Sequence, residues 1–161
     1  MSINSTALAN AQVNGAIDAQ VMVVDDEEYF ASTLGDILQD YGYTVLTATS
    51  GECALKMLRN CRPRLLLLDL RMTGMSGEEL CRRLAAKPAA PAIVILTAQT
   101  DEQQLARLYA LGVLEVLPKP VSIHHLLHLV ALSCGQPPAR VVPTAARSAV
   151  SPEPLEPLQP V

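Results

Sequence analysis

Tryptophan is absent from this sequence and phenylalanine occurs once, so any core it builds is aliphatic. Leu, Val, Ile and Ala must fill the interior. Positive charge is not in excess either. The formal net charge is −4 and the pI is about 5.3, which argues against a dedicated nucleic-acid surface. The four cysteines, Cys53, Cys61, Cys81 and Cys134, include no C-x-x-C pair. A zinc knuckle and a thioredoxin-like site are therefore not indicated, and the thiols read as small buried hydrophobes in a reducing compartment. The first residues carry no basic stretch leading into an apolar one, so no secretory signal is expected. No apolar run approaches the ~20 residues that span a bilayer. These absences together predict a cytoplasmic protein with no membrane insertion.

What the sequence does have is centred on Leu65-Leu-Leu-Leu-Asp-Leu-Arg71. Four leucines run into a single carboxylate, and Gly74 and Gly77 follow. A short apolar run bounded by turn residues reads as a strand buried on both faces, with Asp69 at its carboxyl end. In open α/β sheets that end faces the ligand crevice.

The rest of the chain repeats the pattern. Val21–Val24 is a short apolar strand ending in Asp25-Asp26-Glu27-Glu28, where Asp26 can cap a helix. Apolar residues at Phe30, Leu34, Ile37, Leu38 and Tyr41 give a helix over 29–41, and Gly42 stops it. A second strand spans 43–48, and Ser50 caps a helix reaching about Asn60. Ser76 with Glu79 forms a capping box for a third helix. A fourth strand spans 92–96 and ends at Thr97. Thr100 caps a helix over 101–111, which Gly112 stops. A fifth strand over 113–117 runs into Pro118-Lys119-Pro120, and Pro118 marks it as an edge strand. Ser122 opens the last helix, which reaches about Cys134. Five uninterrupted β-α units imply an α/β fold: a doubly wound five-stranded parallel sheet with helices on both faces.

This 161-residue chain has room for one domain, expected over residues 20–134. Residues 1–19 show no period and are read as a disordered lead-in, with at most a turn of helix near Val13 to Ile17. Residues 135–161 hold seven of the twelve prolines and read as an extended tail.

The strand ends deliver Asp25 and Asp26, Asp69, Thr97 and Lys119 to one rim. Three carboxylates together are unfavourable unless something positive joins them. A hard divalent cation such as Mg²⁺ does so, and Lys119 and Thr97 suit an incoming anion. The combination points to phosphoryl transfer, with a carboxylate as the nucleophile. His124 and His128, one turn apart on the last helix, lack a third metal ligand and read as solvated or packed.

The order Asp25-Asp26, then Asp69 through Gly77, then Thr97-Ala98, then Lys119-Pro120 resembles the receiver domain of two-component response regulators. That resemblance implies a flavodoxin-like strand order of 2-1-3-4-5. It implies that Asp69 is the phosphoacceptor. Asp26, Asp69 and the Arg71 backbone carbonyl would bind Mg²⁺ directly, and Asp25 through a water. Thr97 would bond a phosphoryl oxygen. Lys119, aimed by a cis bond to Pro120, would pair first with Asp69 and then with the phosphoryl group. The donor would be a sensor histidine kinase or phosphotransfer protein, and the output surface would be the fourth helix, fifth strand and fifth helix. Such a chain is not an enzyme, although it catalyses its own phosphorylation and slow dephosphorylation. No DNA-binding output is expected.

The sequence departs from the pattern at two positions. Thr73 stands where proline is usual, implying a less rigid loop. Val116 stands where a switching aromatic is usual, implying that backbone or fourth-helix movement carries the signal. Arg71 and Gln99, two residues beyond Asp69 and Thr97, occupy positions that tune access of water to the acyl phosphate. The alternatives are a degenerate receiver acting as a phosphorylation-independent scaffold and a haloacid-dehalogenase-type phosphatase. The second wants an Asp where Arg71 stands.

Overall fold

The structure is a computed structural model and describes Gln12, Val13, Ala16, Ile17 and residues 19–135. Its central sheet has five parallel strands: β1 (Val21–Val24), β2 (Val45–Ala48), β3 (Leu65–Asp69), β4 (Ala92–Thr97) and β5 (Glu115–Pro118). The helices are α1 (Glu28–Asp40), α2 (Gly51–Met57), α3 (Gly77–Ala85), α4 (Glu102–Ala110) and α5 (Ile123–Cys134). The strand order is 2-1-3-4-5, so β3 lies at the centre and β5 at an edge. The edge position suits Pro118, which pairs with Thr97 and has no N–H to offer a further strand.

Each strand alternates its side chains between two aliphatic cores. Val21, Val23, Leu65, Leu67, Val94 and Leu96 face α1 and α5, where Leu34, Leu38, Leu126 and Val130 complete one cluster. Met22, Val24, Leu66, Leu68 and Ile95 face the other helices and meet Ala54, Leu80, Leu84 and Leu108. Because both faces of β3 are covered, all five of its residues are buried, which is why its sequence is a continuous run. The cysteines are free; Cys61, Cys81 and Cys134 are buried. Burial first, and then the nearby Glu78 carboxylate, pushes the Cys81 thiol up to about 12.

Several local expectations shift. The N-cap of α1 is Glu27 without a side-chain bond, not Asp26. Asp26 is spent elsewhere, and Asp25 Oδ1 accepts from Glu27 N at 2.9 Å instead. The cap of α4 is Asp101, whose Oδ1 accepts from Gln104 N at 2.7 Å, rather than Thr100. Ser50, Ser76 and Ser122 cap their helices through Oγ, as read. The reciprocal half of the box at Ser76 is not made, because the Glu79 carboxylate accepts from Arg82 and Arg83. Helix α2 ends at Met57 rather than near Asn60, and Cys61 N turns back to Met57 O at 3.1 Å. Strand β2 starts two residues later than read, and β5 lies over 115–118 rather than 113–117. Tyr41 follows the last residue of α1 and is exposed, not part of its buried face. Gly42 and Gly112 stop α1 and α4 with φ of +93° and +86°.

Gln12–Val13 pairs antiparallel with Ala16–Ile17, where a turn of helix was the most expected of the lead-in. The proline-rich segment beyond Gly135 lies outside the described residues. Among those described, no helix is long and apolar enough to cross a membrane.

Candidate functional site

The parallel register fixes the rim. Val24 pairs with Leu68, Asp69 with Leu96 and Thr97 with Pro118, so four strands end within a residue or two of one level. Asp25 leaves β1, Asp69 ends β3, Thr97 ends β4 and Lys119 follows β5. Asp25, Asp69 and Thr97 are the three buried polar or charged residues of the described chain.

Lys119 joins two of the acids. Its Nζ lies 2.6 Å from Asp25 Oδ2 and 3.2 Å from Asp69 Oδ1. The pair with Asp69 that the resemblance implies is present, and a shorter bond to Asp25 accompanies it. The Lys119–Pro120 peptide is cis, and Lys119 N donates to Thr97 O at 2.8 Å. The ammonium also sits 4.3 Å from the centroid of the Phe30 ring, a cation–π contact. Burial pushes the Lys119 pKa down, but the hydrogen bond and charge of Asp25, with the charge of Asp69, outweigh it and hold the ammonium above its ordinary value. For Asp69, burial pushes the carboxyl up. Lys119 opposes this and Asp25 adds to it, and the net direction is upward. Asp69 Oδ2 accepts from Arg71 N at 3.2 Å.

Asp26 is exposed and points to the loop after β3. Its Oδ2 accepts from Thr73 N at 2.9 Å and from Thr73 Oγ1 at 3.2 Å. On the other side of that loop, Glu52 Oε1 accepts from Met75 N at 3.0 Å. The loop expected to be less rigid for want of a proline is thus tied at two points. Gly77, where α3 begins, packs directly on β3: a Cβ there would lie 2.4 Å from Asp69 O.

One carboxylate oxygen from each of Asp25, Asp26 and Asp69 lies within 4.8 Å of the others. All are hard oxygen donors, and one ammonium does not balance three carboxylates. The donor set therefore fits a divalent cation that prefers oxygen, such as Mg²⁺. Thr97 Oγ1 donates to Gln99 O at 3.0 Å. A cleft of about 670 Å³ opens beside it, lined by Arg71, Thr97, Gln99, Leu105 and Val116 among others.

The structure therefore brings Asp25, Asp69 and Lys119 into direct contact, with Asp26 alongside and Thr97 joined through the Lys119 backbone. Sequence reasoning did not assign Phe30 beneath the ammonium or Glu52 and Thr73 on the loop. Spacing marks Phe30 only as a core residue, and nothing in spacing distinguishes Glu52 from any first-turn acid. His125 Nε2 lies 3.2 Å from Glu115 Oε1.

A family model described as "Response regulator receiver domain" matches residues 21–131. A response regulator receiver protein of Anaeromyxobacter sp. is 38% identical over 108 residues, covering 67% of this chain and 45% of that protein. The alkaline phosphatase synthesis transcriptional regulatory protein PhoP of Bacillus subtilis is 34% identical over 106 residues, covering 66% of this chain and 44% of that one. The chain thus spans less than half the length of these curated relatives. Among solved structures, a response regulator receiver protein from Pseudomonas putida superposes with a TM-score of 0.68 at 34% identity. The match covers 73% of this chain and 98% of that one. The chemotaxis protein CheY4 of Vibrio cholerae gives a TM-score of 0.67 at 28% identity, over 71% of this chain and 98% of that one.

Proposed function

This chain belongs to the response regulator receiver domain family of two-component systems, and on that premise we propose that Asp69 accepts a phosphoryl group from a phosphohistidine. The donor is a sensor histidine kinase or phosphotransfer protein. The observation that carries the reading is one ammonium, Lys119 Nζ, held within 3.2 Å of carboxylates that arrive on two different strands.

In the step, a carboxylate oxygen of Asp69 forms a bond to phosphorus while the phosphorus–nitrogen bond to the donor imidazole breaks. The electron pair leaves with the ring nitrogen, which solvent protonates. The product is an acyl phosphate on Asp69. Asp26, Asp69 and the Arg71 carbonyl would hold Mg²⁺, with Asp25 acting through a water. When bound, the ion neutralises phosphoryl oxygens. Lys119 meets the transferred group's charge from the other side. Thr97 exchanges its bond to Gln99 O for one to a phosphoryl oxygen. That exchange pulls on the segment leading into α4, so the change is read on the surface of α4, β5 and α5 by a protein partner. The chain acts as a stoichiometric acceptor with slow self-dephosphorylation, not as an enzyme turning over an external substrate.

The test is uptake of phosphoryl from acetyl phosphate with Mg²⁺, followed by intact mass and phosphate-affinity electrophoresis. One phosphoryl group on the wild type and none on Asp69→Asn is the expected result. Equal labelling of Asp69→Asn, or no uptake by the wild type, overturns the reading and favours a phosphorylation-independent scaffold.

A further inference from the structure

The loop that follows Asp69 is tied back to the end of β1 by one residue. Thr73 donates twice to a single oxygen, Asp26 Oδ2, from its backbone N–H at 2.9 Å and its hydroxyl at 3.2 Å. Asp26 is also the member of the acid cluster that Lys119 does not touch, since the ammonium is bonded to Asp25 and Asp69. Two of the carboxylates are thus met by Lys119 and the third by Thr73. Hydrogen bonds to an ionised carboxylate are roughly twice as strong as neutral ones.

The same Asp26 carboxylate belongs to the group that fits a cation. A donor proton and a metal ion draw on the same electron density, so each weakens the other. We propose that Thr73 is a latch: it holds Asp26 and the loop together, and Mg²⁺ binding loosens it. This rests on the Mg²⁺ reading given above. Two consequences follow. The latch sets the Mg²⁺ affinity below what the carboxylates alone would give. It also turns metal arrival into movement of the loop between Arg71, whose carbonyl would join the ion, and Met75, whose N–H stays on Glu52.

The substitutions that isolate the latch are small. Thr73→Val keeps the shape, the β-branch and the N–H but removes the hydroxyl. Thr73→Ser keeps both donors. Thr73 is exposed, so neither change reaches the core. Titration calorimetry of Mg²⁺ into the full chain is expected to show Thr73→Val binding about three- to tenfold tighter than wild type, the net scale of one ordinary hydrogen bond. Thr73→Ser is expected to match wild type. In the wild type, the Thr73 amide proton is expected to move upfield and exchange faster as Mg²⁺ saturates. Measurable Mg²⁺ binding by the wild type with Thr73→Val no tighter, or with an unmoved Thr73 amide, overturns the latch alone. Absence of Mg²⁺ binding in wild type and variants alike overturns the metal reading and the latch with it.

Discussion

Lys119 Nζ lies 2.6 Å from Asp25 Oδ2, closer than to any other acid. The side chain of Asp25 is 2% exposed and that of Asp69 is 9%. The ammonium therefore gives its shorter bond to the more buried carboxylate and leaves Asp69 the looser partner. That suits the acceptor role proposed for Asp69, since an attacking oxygen must be free to form a new bond.

Removing the ammonium leaves two buried carboxylates facing each other. Lys119→Ala is expected to destabilise the fold by about 1–3 kcal/mol, the cost of losing one partner of a buried polar contact. Mg²⁺ is expected to restore part of the loss, because it answers the same charges. Urea melts with and without Mg²⁺ check this, and equal losses in both conditions would count against it.

Asp69 carries its own pH signature. Burial, opposed by Lys119 and reinforced by Asp25, raises its folded pKa. A carboxyl with a raised folded pKa binds its proton more tightly in the fold than in the unfolded chain. Its ionisation then costs stability at neutral pH, and the cost is relieved as pH falls through the folded pKa. Metal-free Asp69→Asn is accordingly expected to be more stable than wild type at neutral pH, with the advantage shrinking on acidification. An advantage that grew toward low pH would refute the assignment.

Gly77 leaves no room for a methyl group. Its Cβ would lie 2.4 Å from Asp69 O and 2.9 Å from Leu70 Cα, both backbone atoms that cannot swing aside. Gly77→Ala is expected to cost about 1–3 kcal/mol, the range for overpacking, and to displace Asp69. Thermal melts measure the first effect and phosphoryl uptake the second. A variant normal in both would show that α3 slides away at no cost.

Val116 is half-buried and lines the cleft beside Thr97. A tyrosine there would supply the ring this chain lacks. Val116→Tyr is expected to produce a large gain in phosphorylation-dependent partner binding. Capture assays with and without beryllofluoride test it, and no effect would mean that movement of α4 is not the limiting signal.

The sheet was legible because β3 and its neighbours are continuous aliphatic runs ending in turn residues, and burial on both faces leaves no other reading. Serine caps were legible because Ser50, Ser76 and Ser122 stand immediately before their helices. The caps that moved involve adjacent candidates: Thr100 beside Asp101, and Asp26 beside Glu27. Composition cannot rank such neighbours; the carboxylate's partner decides, and Asp26 has Thr73, 47 residues away. The same reason hid Phe30 and Glu52. Each sits at a position that helix periodicity or first-turn charge already explains, so its tertiary contact leaves no trace in spacing. The preference of Lys119 for Asp25 is a matter of less than an ångström and lies below what any pattern encodes.

The reactive cluster is assembled from the first, third, fourth and fifth repeats of the chain, and the last part to be made is Lys119. A growing polypeptide that stops short of β5 would carry opposed acids without the ammonium that joins two of them. On the role proposed for Lys119, the acceptor site would be complete only in molecules whose edge strand has docked. On that same role, unfinished or clipped copies would be poor acceptors rather than wrongly active ones.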